Sequence, residues 1–125
     1  MEKRIHDREL DLLEVLWERE SATVAEVRDA LADDLAYNTV LTILRRMEDK
    51  GYVRHEEEGR AHRYFPLIEQ DQVRRSALQR LVEGVFGGSP ELLLTQMVSE
   101  RRLSQAQVRR LHRLLEDRLN EEEDR

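Results

Sequence analysis

The chain has no cysteine, two prolines, five glycines and one tryptophan in 125 residues, with aromatic side chains at only 5% of positions. The missing cysteines remove disulfides, thiolate metal sites, cysteine nucleophiles and thiol redox switching in one step, which fits a reducing cytosol. No apolar run approaches the ~18 to 20 residues that a membrane span needs. The charged start Met1-Glu2-Lys3-Arg4 leads into no signal-type apolar segment, so a soluble, cytoplasmic protein without membrane insertion is expected. Catalytic signatures are missing too: there is no glycine-rich phosphate loop, no HExxH and no Ser/His/acid set in a recognisable context. That argues against an enzyme and leaves no cofactor to place. With few aromatics and 38% charged residues, a deep apolar ligand cavity is not expected either.

What the chain does have is helical periodicity, most informatively from Ala36 to Gly51. At about 100° per residue, Val40, Ile43, Leu44 and Met47 fall within one core-facing stripe. Asn38, Thr39, Thr42, Arg45 and Arg46 fall together on the opposite side, roughly 140° to 260° away from Val40. Thr and Asn are short enough to let a helix enter the major groove, Asn can pair bidentately with adenine, and Arg serves guanine edges or phosphates. Taken alone, the same face is that of an ordinary solvated helix.

The neighbouring segments add to it. Gly51 is placed as a C-cap glycine. After it, Tyr52 to His55 and Ala61 to Leu67 read as strands around a turn drawn from Glu56-Glu57-Glu58-Gly59-Arg60. Before it, a first helix is expected from about Asp7 to Glu20, with Leu10, Leu13, Val15, Leu16 and Trp17 on its apolar side and His6 or Asp7 as N-cap. Ser21-Ala22 reads as a turn, and Thr23-Val24-Ala25-Glu26 is a capping box that starts a second helix with Val24, Val27, Ala30 and Leu31 buried. Helix, helix, helix and hairpin is the order of a winged helix-turn-helix, whose wing lies along phosphates. Arg60 and Arg63 are the wing residues expected on the DNA backbone.

Net charge is the objection, since −6 and a pI near 5.3 predict repulsion from phosphate. Its distribution softens that. Residues 1 to 35 hold 5 basic and 11 acidic side chains, residues 36 to 65 hold 6 and 5, and residues 66 to 125 hold 10 and 11. The segment with the expected reading helix and wing is the only one that is not negative, although Glu56 to Glu58 weaken it. The acidic total also keeps a second reading open, a winged-helix protein-interaction module without specific DNA binding. Asp29, Asp33 and Asp34 read as a solvated face, because no octahedral oxygen set accompanies them. Of the four histidines, only His55 and His62 can meet. They face each other if the turn is Glu58-Gly59, and His62 faces Glu57 if it is Gly59-Arg60. Two histidines are an incomplete metal site in either case.

Beyond Pro66 the pattern changes to helices with broad apolar faces. A fourth helix is expected to about Phe86, a fifth from the Ser89-Pro90-Glu91 start, and a sixth from the Ser104-Gln105-Ala106-Gln107 capping box. Such short helices make a poor core alone. A symmetric dimer solves this and doubles the reading helix for a palindromic operator. Leu78, Leu81, Val85, Leu93, Met97, Leu111 and Leu115 are the expected dimer interface. The fold expected is mainly α with a small β-hairpin: a winged helix-turn-helix over residues 1–67 and a three-helix dimerisation unit over 68–125.

The runs Glu9 to Trp17, Tyr37 to Met47, Lys50-Gly51-Tyr52-Val53, Gly59-Arg60-Ala61-His62-Arg63-Tyr64 and Val98 to Gln105 resemble the penicillinase-repressor (BlaI/MecI) family over nearly the whole chain. The resemblance implies a repressor that binds double-stranded DNA as a homodimer. It also implies a regulatory protease as partner. In antibiotic-responsive members a membrane sensor protease triggers cleavage at an Asn-Phe bond in the dimerisation unit, and matching Val98 and Leu103-Ser104-Gln105 places Gln96-Met97 at that bond. The chain departs there, with Gln for Asn and Met for Phe. It also lacks the C-terminal cysteine pair of copper-sensing relatives.

Overall fold

The computed structural model describes residues 5–125; the part of the expected N-terminal lead at 1–4 lies outside them. The first helix, α1 (Asp7–Arg19), turns Leu12, Leu13, Val15 and Leu16 into the interior. Its N-cap is His6, whose backbone N–H donates to the Glu9 carboxylate at 3.0 Å, so the capping choice left open by the sequence falls on position 6. Trp17 packs against the core, and its indole Nε1 donates to the Ile68 carbonyl at 2.9 Å, the polar handle that a partly buried Trp uses.

Ala22–Thr23 is a short strand, β1, where the sequence suggested a turn. It pairs antiparallel with β3 (Ala61–Pro66), which in turn pairs with β2 (Val53–Glu58), giving a three-stranded sheet in the order β1-β3-β2. A two-residue strand has no periodicity of its own to read. Thr23 also caps α2 (Val24–Ala30): its hydroxyl accepts from the Glu26 N–H and the Glu26 carboxylate accepts from the Thr23 N–H. Val24 and Val27 are buried and Leu31 packs on the core, but Ala30 is exposed, contrary to expectation, because the seven-residue helix ends before that face meets a neighbour.

Helix α3 (Tyr37–Asp49) buries Val40, Leu44 and Met47 completely and ends at Gly51, whose φ of +84° is the left-handed conformation that glycine adopts freely. Strand β2 runs through Glu58, so Glu56 to Glu58 are strand residues and the turn is Gly59-Arg60 alone. Gly59, at φ +61°, supplies the positive φ at the first turn position that a two-residue hairpin of this kind needs. Helices α1 to α3 and the sheet close around one core of, among the described residues, thirteen buried apolar side chains from Leu12 to Tyr64. This is a winged helix-turn-helix.

The remaining helices are α4 (Gln70–Glu83), α5 (Pro90–Ser99) and α6 (Gln105–Glu123). Ser89 caps α5 by accepting from the Leu92 N–H at 3.0 Å, and Ser104 and Gln107 form the capping box of α6. The chain falls into two compact units divided between Arg75 and Ser76, within α4. The division expected at 67/68 comes earlier, and the Trp17 bond to Ile68 shows why the first unit extends past it. Among the described residues, no helix is long and apolar enough to cross a membrane.

Candidate nucleic-acid interface

The polar residues singled out on α3 share an exposed face. Asn38, Thr39, Thr42, Arg45 and Arg46 are all exposed, while Val40, Leu44 and Met47 on the other side of the same helix have no accessible surface. The N-cap is Ala36, which has no side chain to cover the first N–H groups of the helix. Tyr37, 39% exposed, stands beside Asn38 with the Arg28 guanidinium 6.0 Å from its ring centroid; the sequence reading passed over it, since one aromatic at a helix start reads equally as core.

Thr42 is less free than its exposure suggests. Its hydroxyl donates to the Asn38 carbonyl at 2.8 Å, one turn back along the helix. What it presents outward is therefore a methyl group and oxygen lone pairs, suited to a thymine methyl or a base amino group rather than to a base carbonyl.

The arginines divide into two sets. Among the described residues, Arg45, Arg46 and Arg60 form no ion pair. Arg63, expected on the DNA backbone, is engaged within the protein. It lies opposite Glu56 and Thr23 in the sheet, and its guanidinium donates to Glu58 at 3.0 Å, Glu26 at 3.2 Å and the Ser21 hydroxyl at 3.2 Å. With every arm engaged, it braces the central strand against the start of α2. The same contacts answer part of the objection from the wing carboxylates: Glu58 is held by Arg63 and Glu56 by Arg54 at 2.8 Å. Arg54 itself lies over the Phe65 ring, 4.1 Å from its centroid.

The other face of the hairpin carries the histidines. The Gly59-Arg60 turn sets Glu57 opposite His62 and His55 opposite Tyr64. The His55 and His62 rings stack all the same, diagonally, with centroids 4.6 Å apart and planes 19° from parallel. His55 Nδ1 lies 2.7 and 2.8 Å from the two Glu48 carboxylate oxygens, and because a carboxylate only accepts, Nδ1 is the protonated nitrogen. Among the described residues, no group of three or more such side chains could hold a metal ion.

A second pairing was also missed from sequence. Glu9, only 5% exposed, receives the Lys50 ammonium at 2.9 and 3.0 Å, tying the start of α1 to the end of α3. Its signal was available: at about 100° per residue Glu9 falls between Leu13 and Leu16, in the middle of the buried stripe.

The sequence pattern of the family described as penicillinase repressor matches residues 5–117. The chain belongs to the penicillinase repressor family. It is 36% identical over 99 residues to the transcriptional regulator BlaI of Mycobacterium tuberculosis, covering 76% of this chain and 72% of that one. It is 24% identical over 123 residues to the penicillinase repressor of Bacillus licheniformis, covering 97% and 96%. Among solved structures, the DNA-binding domain of the repressor BlaI superposes with a TM-score of 0.51 at 33% identity, over 58% of this chain and 93% of that domain. The winged helix described here is therefore the penicillinase-repressor one, and the exposed face of α3 is its candidate reading surface.

Proposed function

We propose that this penicillinase-repressor family member is a sequence-specific DNA-binding transcriptional repressor that binds a palindromic operator as a homodimer. The observation that carries the reading is the exposed α3 face, with two guanidinium groups, unpaired among the described residues, beside Asn38, Thr39 and Thr42. In the proposed complex Asn38, Thr39, Thr42 and Arg46 approach base edges, Arg45 reaches a base edge or phosphate, and Arg60 holds the backbone from the wing tip. Arg63 braces the central strand through Glu58, Glu26 and Ser21. A repressor of this kind works where the chromosome is, in the cytoplasm.

The homodimer is supported by the unit from Ser76 on, in which no residue is buried. Of the expected interface residues, Leu78, Leu81, Val85, Leu111 and Leu115 are exposed, and Leu93 and Met97 are half-buried. Leu92, Leu94, Val98, Val108, Leu114 and Leu119 are exposed as well. A second copy fits this surface in charge as well as in polarity: the first half of α6 carries Arg109, Arg110, His112 and Arg113 and its end carries Glu121, Glu122 and Glu123, so two copies laid antiparallel oppose unlike charges.

Release by a regulatory protease at Gln96-Met97 is the remaining part of the proposal. Both residues lie in the last turns of α5, where the Gln96 carbonyl accepts from the Glu100 N–H and the Met97 carbonyl from the Arg102 N–H. The bond must therefore unfold locally before a protease can take it.

The test is a polarisation titration of the full chain against a duplex from the promoter region upstream of its own coding sequence and against a random duplex, at two salt concentrations. Specific repression requires a preference for the first and a steep salt dependence. Thr42→Ala and Arg46→Ala should each lose about 1 to 3 kcal/mol on the preferred duplex only, whereas Arg60→Ala should weaken both duplexes alike and lower the salt slope by about one. Equal losses on both duplexes from all three variants would remove the assignment.

A further inference from the structure

We propose that Glu48 and His55 are positioning residues for the wing: their contact sets the angle of the hairpin against α3, and Arg60 reaches its phosphate only while that contact holds. This rests on the DNA-binding reading above and adds to it a residue pair that touches no DNA.

The chain leaves α3 and enters β2 within three residues, Lys50-Gly51-Tyr52. Its backbone is fixed by the Gly51 N–H donating to the Glu48 carbonyl and the Tyr52 N–H donating to the Met47 carbonyl. Beyond it, the hairpin projects to the Gly59-Arg60 tip. From β2, His55 Nδ1 donates to Glu48 on α3, within reach of both carboxylate oxygens at once. A donor shared between two oxygens resists displacement along the helix in either direction.

His55 is gripped from the sheet side as well. Its ring stacks on His62 of β3 and lies 5.4 Å from the Tyr64 ring, so movement of His55 carries both strands with it. Glu48 and His55 are each about one-third exposed, which keeps the pair out of the closed core. The wing tip is the end of a lever whose near end is this contact, and Arg60, which forms no ion pair among the described residues, stands at its far end.

The experiment is a double-mutant cycle between His55 and Arg60 in the full chain, titrated on the promoter duplex and the random duplex across salt, with thermal unfolding recorded for every variant. His55→Phe keeps a stacking ring and removes the donor; Glu48→Gln removes the charge with little change in shape. Both should lose as much affinity as Arg60→Ala and lower the salt slope by about one. The double variant His55→Phe/Arg60→Ala should lose no more than either single change. His55→Asn, which keeps a donor near the Nδ1 position, should recover most of the loss.

Folded variants whose losses multiply in the double mutant, or a folded His55→Phe protein with the parent's affinity and slope, would overturn the proposal. So would His55→Asn behaving as His55→Phe. Because a wing contact to phosphate is indifferent to sequence, the cycle reads equally on the random duplex. A parent protein with no promoter preference would therefore count against the repressor reading while the coupling is still measured.

Discussion

The two units of this chain solve the problem of apolar surface in opposite ways. The first, up to Arg75, folds three helices and a sheet around a core in which Leu12, Leu13, Leu16, Val27, Val40, Leu44, Met47 and Tyr64 have no accessible surface at all. The second, from Ser76 on, contains no buried residue, and Val85 is 80% exposed. The sheet accounts for much of the difference. Strand β3 gives α1 and α2 of the first unit a flat surface to pack on, whereas α5 and α6 have nothing of their own to cover a whole leucine face. One unit closes its own core, and the other leaves open the apolar surface that the proposed homodimer would cover.

The sharpest way to break that comparison is to separate the units. A fragment ending at Arg75 should be a folded monomer, and a fragment ending at Leu67 should unfold more easily because it loses the Trp17 bond to Ile68 and the Ile68 packing. Sedimentation of either fragment as a dimer would move the dimer interface into the first unit. In the full chain, Leu115→Asp should dissociate the proposed dimer, since an unpaired charge in a dimer core costs about 3 to 5 kcal/mol, roughly a hundredfold or more in affinity. The winged helix should still melt cooperatively. Loss of that melting would show that the first unit depends on the second.

A somewhat smaller effect is expected from the ion pair inside the first unit. Lys50→Met leaves the Glu9 carboxylate buried without its cation, which costs about 3 kcal/mol at the lower end of the range for a broken buried pair, because the Lys50 side chain is still 24% exposed. Chemical denaturation of the fragment ending at Arg75 measures it. A double change, Glu9→Leu with Lys50→Met, should recover most of the loss, because two apolar groups in that stripe need no pairing.

These pairs also mark where sequence stops being legible. The recognition helix, both serine caps, the Thr23 to Glu26 capping box and the Gly51 stop are readable because each is a local pattern: a 100° repeat, a residue type at a fixed offset, a glycine where φ must be positive. Strand β1 is not, because Ala22-Thr23 becomes a strand only when Tyr64 and Arg63 arrive beside it. Arg63 shows the same limit at the candidate site. On sequence it stands in a basic wing, and only the register of β3 brings it to Glu58, Glu26 and Ser21. Glu48 with His55 and Glu9 with Lys50 depend on the angle between elements, which no spacing rule carries. Glu9 alone gave warning, as a charge in the middle of an apolar stripe.

The smallest expected effect tests how fully the first unit closes. Tyr64 is completely buried, and its phenolic oxygen has no hydrogen-bond partner among the described residues. A buried unsatisfied hydroxyl is a net cost, so Tyr64→Phe should stabilise the fold by about 1 kcal/mol near neutral pH. The pH dependence gives a second readout. Burial, and then the Glu48 charge, push the Tyr64 phenol above its ordinary value. With the folded pKa above the unfolded one, the contribution is fully present below the ordinary tyrosine range near ~10 and is lost as pH rises through the folded value. The phenylalanine variant has no such loss, so its advantage should widen in alkali. On the acid side the sign reverses and the residue changes. Hydrogen bonding from Thr23, its backbone N–H first, with Arg63 nearby, holds Glu26 below the usual carboxylate range. That contribution is present above about 4 and lost as pH falls through the folded value, equally in both proteins. Urea midpoints at acid, neutral and alkaline pH therefore separate the two groups: an advantage that grows only in alkali places Tyr64 inside a closed core, and one that stays constant with pH, or a loss of stability at neutral pH, means the phenol is solvated or bonded after all.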